Sequence, residues 1–415
     1  MSPRGQGSLT DAGGVRSIGR VSDWALDPNV TYLNHGAFGS CPRPVLEAQQ
    51  RWRDEMEADP NRFFLERYEP ALDAAREALA AFLGADPAGL VFVRNATDGV
   101  NAVLRSLEPD LRPGDELLVT DHAYNACRNA VEATAGRAGA RVVVASVPFP
   151  IESPGQVVSA VLDRVGERTR LAMIDHVTSP TALVFPVEAL IAALEPRVPV
   201  LLDAAHAPGM VALSVDELGA SFTAGNCHKW LCSPKGAGFL HVREDQRERI
   251  VPTVISHGWN RVFPSTENRL HALFDWTGTH DPSAWFSVPD AIRAVGEMLP
   301  GAWPEVMARN RALALEGRDV VRAALRVDRP APDEMIGAMA ALPLPPASGD
   351  AAEPSGWAED PLADVLRHGW QIEVPVMSWP APPTRLVRIS AQLYNRPEDY
   401  VRLAEALVAE LARRS

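Results

Sequence analysis

Lysine is nearly absent from this chain. Of its 40 basic residues only Lys229 and Lys235 are lysines, and arginine supplies the other 38 (40 − 2). As solvating surface charges the two types are close to interchangeable. They differ where an amine must lose its proton and attack a carbonyl, because the guanidinium stays charged. Two lysines confined to the segment 224–239 therefore suggest a covalent role, such as a Schiff base to an aldehyde cofactor. Drift in an arginine-biased chain is the alternative. Cysteine is scarce as well. Cys41, Cys127, Cys227 and Cys232 lack metal-ligand spacing, and Cys227 and Cys232 stand too far apart for a redox pair. They read as free thiols of a reducing cytoplasm. No apolar run nears the ~18 residues that span a bilayer. The first ten residues hold no apolar core of the kind a secretory signal needs. A net charge of −13 disfavours nucleic acid and anionic membranes as partners.

What is present is an alternation. Apolar runs at Leu90–Arg94, Glu116–Thr120, Arg141–Ser146, Leu171–His176 and Val198–Asp203 read as strands. Helical patterns lie between them, at about 97–107, 125–138, 155–166 and 187–195, and an earlier helix covers Ala71–Leu83. This rhythm implies an α/β fold with a mostly parallel sheet between helices. Ligands of such sheets sit beyond the carboxyl ends of the strands. Asn95, Asp121, His176 and Asp203 fall there. Past residue 285 the pattern changes to helices at about 286–298 and 303–326, a strand at Leu386–Ile389 and a final helix at about 396–413. That is the outline of a small α+β domain. The stretch Pro343–Asp360 reads as a loop or linker, and residues 1–20 as a disordered arm.

Chemistry concentrates in three places. Asp203 ends an apolar strand, where a carboxylate can face a pyridinium nitrogen and keep it protonated; a helix N-cap is the other reading. Thr97 follows a strand end and opens a helix, as a phosphate site requires and as a plain N-cap also does. In Phe222-Thr-Ala-Gly-Asn-Cys-His-Lys229, small residues permit close backbone approach. Asn226 and His228 can donate to a phosphate while Lys229 reaches an aldehyde carbon. Lys235, in a Pro-Lys-Gly turn, reads as structural.

Asp203-Ala-Ala-His206 and Gly225-Asn-Cys-His-Lys229 together resemble the class V aminotransferase group of pyridoxal-phosphate enzymes. Tyr32-Leu-Asn-His-Gly-Ala-Phe-Gly39, Asp121-His-Ala-Tyr-Asn125, His228-Lys-Trp-Leu231 and Arg388-Ile-Ser390 resemble its isopenicillin N epimerase-like branch. The resemblance runs from about residue 21 to 413. It implies an aspartate-aminotransferase-like fold (fold type I): a large cofactor-binding domain, 21–285, with a seven-stranded-type sheet, and a small C-terminal domain, 286–415, joined by the N-terminal segment. It implies pyridoxal 5′-phosphate as cofactor, with Lys229 forming the internal aldimine and later moving the Cα proton. Asp203 then pairs with the pyridine nitrogen, and His122 stacks on the ring. His206 and Ser179 lie near the phenolic oxygen. Ala96 (through its backbone), Thr97, Asn226 and His228 hold the phosphate. Thr279 reaches the phosphate of a partner subunit, which implies a homodimer with a composite site. Arg388 grips the substrate carboxylate with its planar fork. Asn34, His35, Arg62 and Trp259 are the further substrate-side candidates; Arg62 and Trp259 could equally pack a subunit interface.

The branch contains epimerases and carbon–sulfur lyases, so the expected substrate is an amino acid or an amino-acid S-conjugate of specialised metabolism. Epimerisation needs a proton returned to the opposite face, from Tyr124 or a histidine such as His35. β-Elimination needs a leaving group and an acid, a role Tyr124 also suits. Decarboxylation-coupled oxidative deamination and transamination are alternatives. A non-catalytic regulator is disfavoured because Lys229, Asp203 and Arg388 are all present. No cysteine lies between Gln371 and Arg388, which argues against the mobile-loop thiol of a desulfurase. Cys127 could lie near the site, though a buried helix position is the plainer reading.

Overall fold

Strands that are apolar on both faces require cover on both faces, and that requirement shapes this chain. A computed structural model describes residues 21–260, 268–347 and 360–414. The expected arm at 1–20 and most of the expected loop before Asp360 lie outside the described residues. Twelve strands are described: β1 Thr31–Tyr32, β2 Leu90–Val93, β3 Glu116–Thr120, β4 Arg141–Ala145, β5 Thr169–Asp175, β6 Val200–Ala204, β7 Phe222–Asn226, β8 Gly238–Val242, β9 Met339–Leu344, β10 Ile372–Glu373, β11 Val376–Ser378 and β12 Arg385–Ser390. The central sheet has seven strands in the order β2-β8-β7-β6-β5-β3-β4. Every pair is parallel except those of β8, which runs antiparallel to β7 and β2. Segment 227–237 between β7 and β8 is too short for a helical crossover, so the chain must turn straight back. Lys229 sits in that return.

Helices cover the sheet on both sides. Leu118, Ala172, Leu202 and Ala204 pack into one apolar cluster, whereas Leu117, Val119, Leu171 and Leu201 pack into another. Alternate residues of each strand thus serve opposite faces, as the pleat dictates. The helix Ala96–Leu107 is capped by Asn95, whose side chain accepts the Asp98 N–H at 3.0 Å. The helix Tyr68–Leu83 ends on Gly84 at φ +59, a left-handed conformation that suits glycine. The single helix expected over 286–298 is two, Ser283–Phe286 and Val288–Gly296, the second opening with Pro289 near its start.

The C-terminal part is a three-stranded antiparallel sheet, β11-β12-β9, backed by helices Ala302–Leu325 and Pro397–Arg414. The strand-end pair β1 and β10 ties the N-terminal segment to this part. Arg388 lies in β12, the central strand, opposite Ala341. Among the described residues no helix is long and apolar enough to cross a membrane.

Candidate active site

The carboxyl ends of the parallel strands open on one cavity. It is lined by Ala37, Phe38, Asn95, Ala96, Thr97, Tyr124, Cys127, Asp175, Val177, Ser179, Asp203, Ala205, His206, Asn226, His228 and Lys229. Its volume is about 200 Å³, below the roughly 300–1,000 Å³ of drug-sized sites, which suits a small ligand.

Lys229 is the one lysine among the residues that line the cavity. Burial, with Arg388 second, lowers its amine from 10.5 to about 8, so a real fraction is uncharged near neutral pH. Its Nζ lies 3.1 Å from His206 Nε2. The indole N–H of Trp230 reaches His206 Nδ1 at 3.4 Å. His206 is buried, and burial followed by Lys229 holds its pKa well below the ordinary value. A neutral ring that accepts at Nδ1 carries its proton on Nε2, an arrangement that matches the uncharged form of the Lys229 amine. Asp203, in β6, is 3% exposed and accepts the Ala205 N–H at 3.0 Å. Burial raises its pKa, against the Ala205 amide, the Cys127 thiol and the charge of Lys229.

Arg388 is not itself among the lining residues but bonds to Ser179, which is. Arg388 is 4% exposed, and its guanidinium donates to the Ser179 carbonyl at 2.5 Å and hydroxyl at 3.2 Å. Its Nε is buried without a partner. Burial pulls it from 12.5 down to about 10. Among the described residues it makes no ion pair. A buried guanidinium without a counter-charge is costly, and an anion brought against it would offset that cost.

Tyr124 forms the wall. Its ring centroid lies 6.0 Å from Lys229 Nζ. Burial, with Cys127 and Asp203 next, raises its phenol, so it stays protonated at neutral pH. Cys127 is buried in the helix Asn125–Ala138 and also lines the cavity floor. Burial and then Asp203 push its thiol well up, which keeps it un-ionised.

Several expected residues stand elsewhere. His122 is fully buried and does not line the cavity. Its Nε2 meets the Val147 carbonyl at 3.0 Å, which can only accept. Its Nδ1 therefore takes the Thr181 hydroxyl at 2.6 Å, which in turn takes that of Thr178 at 2.7 Å. So held, His122 does not face the cavity, whose wall is formed by Tyr124, two residues on. His35 is sealed too, between the Tyr394 hydroxyl at 2.9 Å and the Lys229 carbonyl at 3.1 Å. It braces the Lys229 backbone and cannot deliver a proton to a substrate. Asn34 binds Glu373 at 3.0 Å and does not line the cavity. Arg62 is exposed and pairs with Glu66, and Trp259 is 56% exposed; neither reaches the cavity. Thr279 lines a separate cavity with Arg94, Asp98 and Thr253. Lys235 donates to the Gly39 carbonyl at 3.2 Å.

Two phosphate-side expectations change in detail. The Ala96 N–H is already taken by Asn226 Oδ1 at 2.8 Å, so Asn226 braces the helix start and has only its NH₂ left to donate. His228 is held near a pKa of about 4, first by burial and then by Lys229. Its Nδ1 donates to the Ala237 carbonyl at 3.2 Å. The neutral ring thus presents Nε2 as an acceptor, and it donates to a phosphate only when protonated.

The sequence over residues 31–300 matches the family model described as aminotransferase class-V. The chain belongs to the class V aminotransferase family. It is therefore a pyridoxal 5′-phosphate enzyme. The chain is 38% identical over 402 residues to the isopenicillin N epimerase of Amycolatopsis lactamdurans, covering 92% of this chain and 96% of that one. It is 29% identical over 408 residues to the L-cysteine desulfhydrase of Arabidopsis thaliana, at 91% and 87% coverage. Among solved structures, a mutant of C-DES with glycine covalently linked to its PLP cofactor superimposes with a TM-score of 0.73 at 21% identity, covering 92% and 97%. That likeness shows the shared fold.

The class V cofactor fits the residues present. A buried amine, a buried carboxylate and the helix start at Asn95–Thr97 line one cavity. Gly238 and Gly225 permit the tight approach of β8 and β7 beneath it: a Cβ on Gly238 would meet the Asn95 Cα at 2.6 Å, and one on Gly225 the Phe239 ring at 2.5 Å. When bound, the cofactor supplies an electron sink for charge developing at the substrate Cα.

Proposed function

We propose that the chain catalyses carbon–sulfur β-elimination on an amino acid bearing sulfur at Cβ. Lys229 anchors the cofactor, Asp203 faces its ring nitrogen and the helix start at Thr97 receives its phosphate. Arg388 takes the substrate carboxylate. Lys229 removes the Cα proton, and the Tyr124 phenol protonates the leaving sulfur. One water is consumed, and the products are a thiol, pyruvate and ammonia. The acid–base content of the cavity carries this reading. It offers one amine with a lowered pKa and one phenol kept protonated, while His206 and His228 are held neutral.

Epimerisation is the second reading, favoured by the 38% identity to an isopenicillin N epimerase. It requires Tyr124 to serve as a base in one direction, and a phenol raised above its ordinary range resists that. We further propose a cytoplasmic homodimer, supported by four buried free thiols and by Val254, Ile255 and Trp259, which are exposed apolar residues close in sequence. Thr279 of a second copy would then complete the phosphate end.

A cysteine S-conjugate incubated in deuterated water separates the reactions. The proposal expects thiol, pyruvate and ammonia in equal amounts. Recovery of a deuterated D-amino acid without pyruvate would establish epimerisation instead.

A further inference from the structure

The reaction proposed above leaves one buried acid unused. Asp175 ends β5 in register with Asp203 on β6. In-register residues of neighbouring parallel strands point to the same face, with the strands roughly 4.8 Å apart. Both carboxyls line the cavity, at 2% and 3% exposure. Their environments differ. Asp203 has the Ala205 amide, the Cys127 thiol and the charge of Lys229. Asp175 is opposed only by the backbone N–H groups of Tyr124 and of Asp175 itself, with no cation among its neighbours. Its Oδ2 is buried with no hydrogen-bond partner. Two carboxylates this close in a low-dielectric site do not both ionise. Burial, and then the charge of Asp203, favour the neutral form of Asp175.

We propose that Asp175 is a positioning residue that carries the single proton of an Asp175–Asp203 pair. Asp203 is thereby the ionised member that meets the cofactor nitrogen. The neutral carboxyl of Asp175 holds the Tyr124 backbone at the cavity wall. A second anion is thus kept out of the floor without losing a polar anchor for Tyr124. The inference rests on the proposed cofactor placement for the role of Asp203, though the location of the proton is independent of it.

Infrared spectroscopy tests the pair on the full chain, before and after loading with pyridoxal 5′-phosphate. Spectra are recorded at pH 8, above the range in which Asp275, pushed up to about 6 chiefly by burial, keeps a proton. The expected result is a protonated-carboxyl C=O stretch that disappears in Asp175→Asn and survives in Asp203→Asn. Cofactor affinity, titrated in parallel, should stay within roughly threefold in Asp175→Asn and fall by roughly a hundredfold or more in Asp203→Asn, since only the latter removes the partner of a buried charge. Three results overturn the inference: no acid C=O stretch in the wild type, a stretch lost in Asp203→Asn and kept in Asp175→Asn, or equal losses of affinity in both variants. The wild-type spectrum retains its force if a variant fails to fold. Because it is recorded without substrate, it stands apart from whether carbon–sulfur cleavage is the reaction.

Discussion

A buried lysine with a depressed pKa costs the cofactor-free protein stability, and the cost can be worked out. Burial, with Arg388 second, takes the Lys229 amine from 10.5 to about 8. The folded state then binds this proton more weakly than the unfolded state does. The penalty is fully present well below pH 8 and fades as pH rises toward 10.5. The shift is 2.5 (10.5 − 8). At ~1.36 kcal/mol per pKa unit it costs about 3 kcal/mol at pH 7 and about 2 kcal/mol at pH 9. Lys229→Met keeps the side-chain length and removes the charge. Relative to wild type, the variant should gain about 1 kcal/mol more at pH 7 than at pH 9. Any packing change from the new side chain is independent of pH and cancels in that difference. Urea unfolding of both cofactor-free proteins, followed by circular dichroism at one protein concentration, gives the two gains. A gain that is flat from pH 7 to 9, or that grows with pH, refutes the account of Lys229.

Three further outcomes follow from the same geometry. Tyr124→Phe should lower the turnover of a cysteine S-conjugate by roughly 10²–10⁴ while the visible absorbance of the bound cofactor persists; unchanged turnover removes the phenol from the reaction. Arg388→Ala should weaken amino-acid binding by roughly thirtyfold or more, with Arg388→Lys failing to restore the planar fork. Ligand titration of the cofactor absorbance measures it, and an unchanged affinity refutes the clamp. His122→Phe should lower stability by roughly 1–3 kcal/mol, because the Val147 carbonyl and the Thr181 hydroxyl lose their partner. Its cofactor spectrum should match that of the wild type, and a lost or shifted spectrum would return His122 to the site.

Asp203 and Lys229 are legible because each ends or follows an apolar strand, and because lysine is so rare here. The alternation of strands and helices likewise foretells β2 to β6 of the sheet, whereas β7 and β8, on either side of the Lys229 turn, are not among those runs. What the sequence could not show is how the chain leaves a strand. His122 and Tyr124 are two residues apart beyond β3, and only the turn decides which one faces the cavity. The bond between the Ala96 amide and Asn226 spans 130 residues and depends on β7 and β2 flanking β8. Asp175 stays hidden for a related reason. Its significance comes from register with Asp203 across β5 and β6, and each strand read alone shows only a terminal carboxylate. His35 misleads because its motif is close to Lys229 in space, yet it touches the backbone rather than the amine.

Borohydride reduction of the holoenzyme, followed by peptide mass mapping, tests the central claim most directly. Reduction fixes the cofactor to whichever lysine holds it. The account predicts the added mass on the peptide carrying Lys229, with Lys235 unmodified. Modification of Lys235 alone, or of neither lysine in a protein that shows the cofactor absorbance, would contradict it.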